Sequence, residues 1–146
     1  METVERPKLR CRILLADDSA DNLFLLGSYL KGLAVEVDEA PDGSVALSKF
    51  IAGAYDLVLM DVHMPVMDGL TAIREMRAVE ARKARKVSPN EGTPIVALTA
   101  SVFGEDIDMC IAAGANMYVA KPIKRAALLE VVSSLLARVA PVASPD

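Results

Sequence analysis

Residues 57–60, Leu-Val-Leu-Met, are apolar at every position and stand between Asp56 and Asp61. A strand with one wet face alternates apolar and polar residues. One that is apolar throughout has to be covered on both sides, as a central strand of a parallel sheet is. This segment constrains the chain more than any other, because covering both faces takes helices on both faces. Other apolar runs recur at residues 11–16, 94–100 and 116–120, and residues 34–40 alternate like a half-buried strand. Between them lie segments of helical spacing. Leu23, Leu26 and Leu30 recur in this way across residues 19–31, with Ser19 placed to cap the start and Gly32 just past the end. Further helices are predicted over 44–52, closed by Gly53, over 70–86, over 103–113, followed by Gly114, and over 123–139. Five strands alternating with five helices predict an α/β fold, a doubly wound parallel sheet.

A chain of 146 residues holds one ordinary domain. The expected division is an N-terminal extension over 1–10, a single domain over 11–140 and a flexible tail over 141–146. The charged start METVERPKLR has no apolar signal core, and no apolar run is long enough to span a bilayer, so a cytoplasmic protein without a membrane partner is expected. The formal net charge of −4 gives no field that favours nucleic acid, and with no Trp and 4% aromatic residues a base-stacking platform is not expected either. Cys11, Cys110 and the single His63 do not have the spacing of a zinc site, and both thiols read as small, buried or half-buried hydrophobes in a reducing compartment.

In a parallel sheet of this kind ligands bind beyond the carboxyl ends of the strands. The first strand delivers Asp17 and Asp18 there, the third Asp61, the fourth Thr99 and the fifth Lys121. Three carboxylates on one rim repel each other, and without a cation one of them would have to take up a proton. A hard divalent ion resolves the conflict, and an all-oxygen, partly hydrated site suits Mg²⁺. The Thr99 hydroxyl and the Lys121 ammonium would then face an anion in the same site, such as a phosphoryl group, and a carboxylate there can serve as nucleophile.

The stretches LLADDS, LVLMDVHMPVMDGL, TPIVALTA and GANMYVAKPI, in that order and each at a strand end, resemble the response-regulator receiver domains of two-component phosphorelay signalling over about residues 11–139. MDVHMPVMDG and GTPIVALTA look most like the receivers of hybrid histidine kinases. The resemblance implies a flavodoxin-like (βα)5 sheet of strand order 2-1-3-4-5. It implies Asp61 as phospho-acceptor, Asp18 and Asp61 as direct Mg²⁺ ligands, Asp17 acting mainly through bound water, and the His63 backbone carbonyl as a further ligand. Thr99 would hydrogen-bond the phosphoryl group and Lys121 would pair with it. Tyr118 holds the position of the family's switch aromatic, and Lys121-Pro122 resembles the family's cis peptide. The implied partners are a histidine kinase or a histidine phosphotransfer protein, with an output partner on the face of the fourth helix, fifth strand and fifth helix. The expected function is a phosphorylation-controlled switch rather than an enzyme, with no output domain following. If the chain belonged to a hybrid protein, the parent would be a histidine kinase.

Each residue also has a plainer reading. Asp17-Asp18 could cap the first helix, Thr99 could be a strand former, and Tyr118 could be half-buried packing; the first two readings lose weight because the whole set is in register. Met60, Met64 and Met67 read as packing. The basic run Arg74, Arg77, Arg82, Lys83, Arg85 and Lys86 reads as a solvated helix face rather than a docking patch. A haloacid-dehalogenase-like phosphatase would want an Asp where His63 stands. A flavin carrier would want a Ser/Thr/Gly-rich loop where ADDSADN stands, and a receiver-like module without phosphorylation would not need the full residue set. His63 and Ser101, each two residues past a site residue, are expected to flank the path of water to a phosphorylated Asp61. His63 is expected mainly to stabilise that state, more so at lower pH where its ring is charged.

Overall fold

The computed structural model describes residues 11–84, 92–101 and 103–139. The elements run β1 (Cys11–Ala16), α1 (Ala20–Leu30), β2 (Val35–Ala40), α2 (Gly43–Ala52), β3 (Leu57–Asp61), α3 (Gly69–Ala84), β4 (Ile95–Thr99), α4 (Gly104–Ala113), β5 (Met117–Ala120) and α5 (Arg125–Val139). All neighbouring strands pair in parallel, in the order β2-β1-β3-β4-β5. The doubly wound sheet read from the sequence is therefore present, and its order is 2-1-3-4-5.

Every residue of β3 and β4 is buried. Alternate positions serve opposite faces. Leu14, Ala16, Val58, Met60, Ile95 and Ala97 pack on one side with Ala46, Phe50, Ile73, Met76 and Cys110 from α2, α3 and α4. Ile13, Leu15, Leu59, Val96 and Leu98 pack on the other with Leu26 and Leu30 of α1 and Leu128, Val132 and Leu135 of α5. The methionines behave as packing: Met60 and Met64 are buried and Met67 leans on the first of these cores. Cys11 is half-buried and Cys110 buried. The edge strand β2 is wetter, with Glu36 and Glu39 exposed. It is pinned where Arg12 Nη2 and the Tyr55 hydroxyl both donate to Asp38 Oδ2, at 2.8 and 2.7 Å.

The helix starts follow local chemistry. Ser19 Oγ accepts from the Asn22 N–H at 3.2 Å, Asp42 Oδ1 from Val45 N–H at 2.9 Å and Asp68 Oδ1 from Thr71 N–H at 2.8 Å. Helix α4 starts after Phe103, which has no side-chain acceptor to offer its first turn. It ends at Gly114, whose φ of 123° lies where L side chains rarely go. Helix α5 begins at Arg125, two residues later than the spacing suggests, because the chain first passes the cis Lys121-Pro122 peptide and then Ile123 and Lys124. The expected end of α3 at residue 86, part of the SPNEGT turn, and the 1–10 and 141–146 segments lie outside the described residues.

Arg77 departs from the solvated reading of the basic run. It is largely buried, and its guanidinium donates to the Gly114 carbonyl (3.0 Å), the Thr93 carbonyl (2.9 Å), Glu80 Oε1 (2.7 Å) and Asn116 Oδ1 (2.7 Å). It thereby joins α3 to the start of β4 and the α4–β5 turn. Arg74, Arg82 and Lys83 are exposed as expected, and Arg85 and Lys86 lie outside the described residues. Among the described residues no helix is long and apolar enough to cross a membrane.

Gly69 sets how closely α3 approaches the end of β3. A Cβ there would stand 2.0 Å from the Asp61 carbonyl oxygen and 2.8 Å from Val62 Cα, both backbone atoms. Gly69→Ala is expected to lower the unfolding free energy in urea by about 2–3 kcal/mol, the cost of overpacking against an immobile neighbour. Gly104→Ala, where a Cβ meets nothing within 4 Å, should stay within about 0.5 kcal/mol of wild type.

Candidate functional site

The register brings the polar strand ends together in steps. Ala16 pairs with Met60, so the residues that follow, Asp17 and Asp61, stand side by side. Asp61 pairs with Leu98, which puts Thr99 one step further, and Thr99 pairs with Ala120, which puts Lys121 one step beyond that. Asp17, Asp61 and Thr99 are the buried polar residues of the core, each 2% exposed or less, while Asp18 reaches solvent.

Asp17, Asp18 and Asp61 each offer a carboxylate oxygen within 4.8 Å of the others. Among the described residues one cation faces them. Lys121 Nζ donates to Asp61 Oδ1 at 2.9 Å and lies 3.7 Å from Asp17 Oδ2. Lys121 is itself fixed at the backbone, its N–H donating to the Thr99 carbonyl at 2.8 Å. Three carboxylates against one ammonium leave an excess of negative charge, with Asp17 and Asp61 buried and Asp18 at the solvent side. Burial pushes the Asp61 carboxyl above the usual range, the Asp17 charge adds to this, and the Lys121 ammonium and the His63 N–H (3.3 Å from Oδ1) pull the other way. An all-oxygen cluster of this charge is the donor set that a hard, partly hydrated divalent ion takes, and the residues therefore fit Mg²⁺.

Asp17 does not act as the cap of α1; Ser19 does. Asp17 Oδ1 instead accepts from the Ser19 N–H at 2.9 Å, and both its oxygens face the Asn22 side-chain amide at 3.5 and 3.4 Å. Asn22 is a site residue that the strand-end reading passed over. Its signal was helical: it lies on the first turn of α1, where its side chain reaches back to the loop. The Thr99 hydroxyl is held locally, donating to the Ser101 carbonyl and accepting from the Ser101 N–H, both at 3.1 Å. His63 is exposed at the rim, and Tyr118 is 38% exposed on the edge strand β5. Asp106, on the first turn of α4, was also not singled out; it accepts from the Ser101 hydroxyl.

Comparison with known proteins places this geometry among relatives. Residues 13–133 match the family described as the response regulator receiver domain. Histidine kinase 5 of Arabidopsis thaliana is 33% identical over 153 residues, covering 92% of this chain and 17% of its own length. The chain thus spans a small part of this relative, and 7% of the length of hybrid signal transduction histidine kinase L of Dictyostelium discoideum. Among solved structures, the receiver domain of sensor histidine kinase PA1611 from Pseudomonas aeruginosa PAO1, with a magnesium ion coordinated in its active-site cleft, is 35% identical, with a TM-score of 0.75 over 88% of this chain and 98% of that one. The receiver domain of Ssk1 from Saccharomyces cerevisiae, in a co-crystal structure with the histidine phosphotransfer protein Ypd1, is 26% identical, with a TM-score of 0.80 over 90% and 92%.

The raised Asp61 carboxyl has a consequence for stability. The folded state holds this proton more tightly than the unfolded chain does, so below about pH 4 both states are protonated and the group contributes nothing. As pH rises beyond that range the folded state carries the cost of the buried charge. In buffer free of divalent ions, Asp61→Asn should therefore melt above wild type at pH 7. The gap should close as pH falls below about 4, and calorimetry across that range checks both signs.

Proposed function

The chain belongs to the response regulator receiver family of two-component signalling, and from that premise we propose that it accepts a phosphoryl group on Asp61 from a phosphohistidine donor, in a Mg²⁺-dependent reaction that switches partner binding. The observation that carries this reading is the buried Asp61 carboxylate with Lys121 Nζ at 2.9 Å and two further aspartates within 4.8 Å. Asp18, Asp61 and the His63 backbone carbonyl would hold the ion directly, and Asp17, engaged by Ser19 and Asn22, would act through its water. Bound there, Mg²⁺ supplies positive charge for the phosphoryl oxygens.

In the transfer, an Asp61 oxygen attacks phosphorus and the donor N–P bond breaks, the donor ring keeping the electron pair and then taking a proton. Lys121 neutralises Asp61 before the reaction and pairs with the phosphoryl group after it. The Thr99 hydroxyl would exchange its bonds to Ser101 for a phosphoryl oxygen. The donor is a histidine kinase or a histidine phosphotransfer protein, consistent with the Ypd1-bound relative. The output surface would be that of α4, β5 and α5, where Phe103, Met109, Met117 and the switch candidate Tyr118 are exposed. In this reading residues 11–140 form the receiver unit, working in the cytoplasm as a phospho-acceptor rather than as an enzyme on an outside substrate.

Acetyl phosphate with Mg²⁺ should add one phosphoryl group to the wild type and none to Asp61→Asn, read by intact-protein mass spectrometry. Equal labelling of the two would mean a different acceptor. His63→Ala should lose its label faster than wild type, by about two- to tenfold, because a charge-assisted contact to a phosphoryl oxygen is lost. Slower decay in this variant would give His63 the opposite role.

A further inference from the structure

A groove of about 290 Å³ runs between α1 and the edge strand β2. Its floor is apolar: Leu30 is buried, and Leu23, Val35 and Val37 pack partly buried against the same core. The α1 wall carries two features side by side. Phe24 stands 79% exposed at the rim. One turn further on, Gly27 leaves a notch, and a Cβ there would meet nothing within 4 Å. A lone exposed aromatic is ordinary on a protein surface. An aromatic knob next to a notch, both over one apolar floor, makes a surface that can receive a copy of itself.

The charges have the same symmetry. Because β1 and β2 are parallel, the helix that joins them runs back against both. The groove therefore starts at Lys31, beside Val35, and ends at Glu39. Both side chains are exposed, and among the described residues neither takes part in an ion pair. A two-fold axis across the groove sets the basic end of one copy on the acidic end of the other. The spacing agrees. An axis midway between Phe24 and Gly27 puts each Phe24 at the other copy's notch and carries Lys31 about 16 Å along the other copy's α1, to the level of Ala20. Glu39 stands about 13 Å along β2 from Val35, and the difference of about 3 Å is within reach of a lysine side chain.

We propose that the α1–β2 groove is the face of a symmetric homodimer, with Phe24 of each copy seated at Gly27 of the other and Lys31 paired with Glu39 across the axis. The contact is made by side chains and leaves the backbone edge of β2 unpaired. A groove about 13 Å long offers less than the ~800 Å² a side that a standard stable interface buries, so the dimer is weak and forms as concentration rises. Strand β5 is the opposite edge of the sheet and stays clear of the contact.

The test is sedimentation equilibrium of the 146-residue chain at rising concentration. Wild type should pass from one chain to two with a Kd on the order of 100 µM. Phe24→Ala should weaken association about tenfold. Gly27→Leu should do the same by filling the notch; it keeps the fold, because nothing in its own chain meets the added Cβ and Leu favours a helix over Gly. Lys31→Glu and Glu39→Lys should each weaken association about fivefold, since each sets like charges together twice in the dimer. An equal mixture of these two variants should pair within about threefold of wild type, because every pair across the axis of the mixed dimer is again opposite in sign. A wild type that stays a single chain throughout overturns the proposal. So does a dimer indifferent to Phe24→Ala and Gly27→Leu, a mixture that associates no better than its components, or association that grows past two chains, which a closed two-fold contact does not allow.

Discussion

Asp17, Asp18 and Asp61 sit close enough to repel one another, and among the described residues Lys121 is the ammonium directed at the cluster. Everything around the carboxyl end of the sheet serves to hold that unfavourable arrangement in place. Parallel register sets Asp17 beside Asp61, and a cluster of aliphatic side chains on each face of β1 and β3 keeps the strands from shifting. The stored repulsion is the reason the site has use for a divalent cation, since a recess already neutral would gain little from one.

The same constraint explains the surroundings of Asp61. Gly69 brings the first turn of α3 against the Asp61 backbone, and its own N–H donates to the Val62 carbonyl at 2.8 Å. From that anchored start, α3 carries Arg77 to the far end of the domain, where it holds the Gly114 carbonyl and Asn116. Helix α4 is therefore fixed at its last turn, while its first turn follows a residue without a capping side chain and has a side-chain tie from Asp106 to Ser101. The tie at the first turn of α4 thus lies two residues from Thr99.

Much of this was legible in the sequence because it rests on periodicity. The unbroken apolar run 57–60 gave the buried central strand, and the doubly wound order placed Asp17, Asp61, Thr99 and Lys121 on one rim through the simple rule that strand ends face the ligand. Arg77 was misjudged for the same reason. Periodicity groups it with its basic neighbours, and only the fold shows that oxygens from the start of β4 and the α4–β5 turn converge on it together with Glu80 of its own helix. Asn22 and Asp106 were missed because each reaches a site residue from the first turn of a helix, where sequence spacing gives no sign of which loop lies within reach. The start of α5 moved because the residues after Lys121-Pro122 are spent on leaving the strand before a helix can begin.

Among the described residues the two edge strands of the sheet differ in chemistry. Strand β2 presents Glu36 and Glu39 to solvent, and β5 presents Met117 and Tyr118. An unpaired strand edge is a template for another strand, and like charges on it penalise pairing with a copy of itself. Crowded at high concentration, molecules of this shape are discouraged from zipping together through β2. Two glutamates thus disfavour strand-to-strand pairing at one rim of the sheet, and the opposite rim carries no such charge among its exposed β5 side chains Met117 and Tyr118.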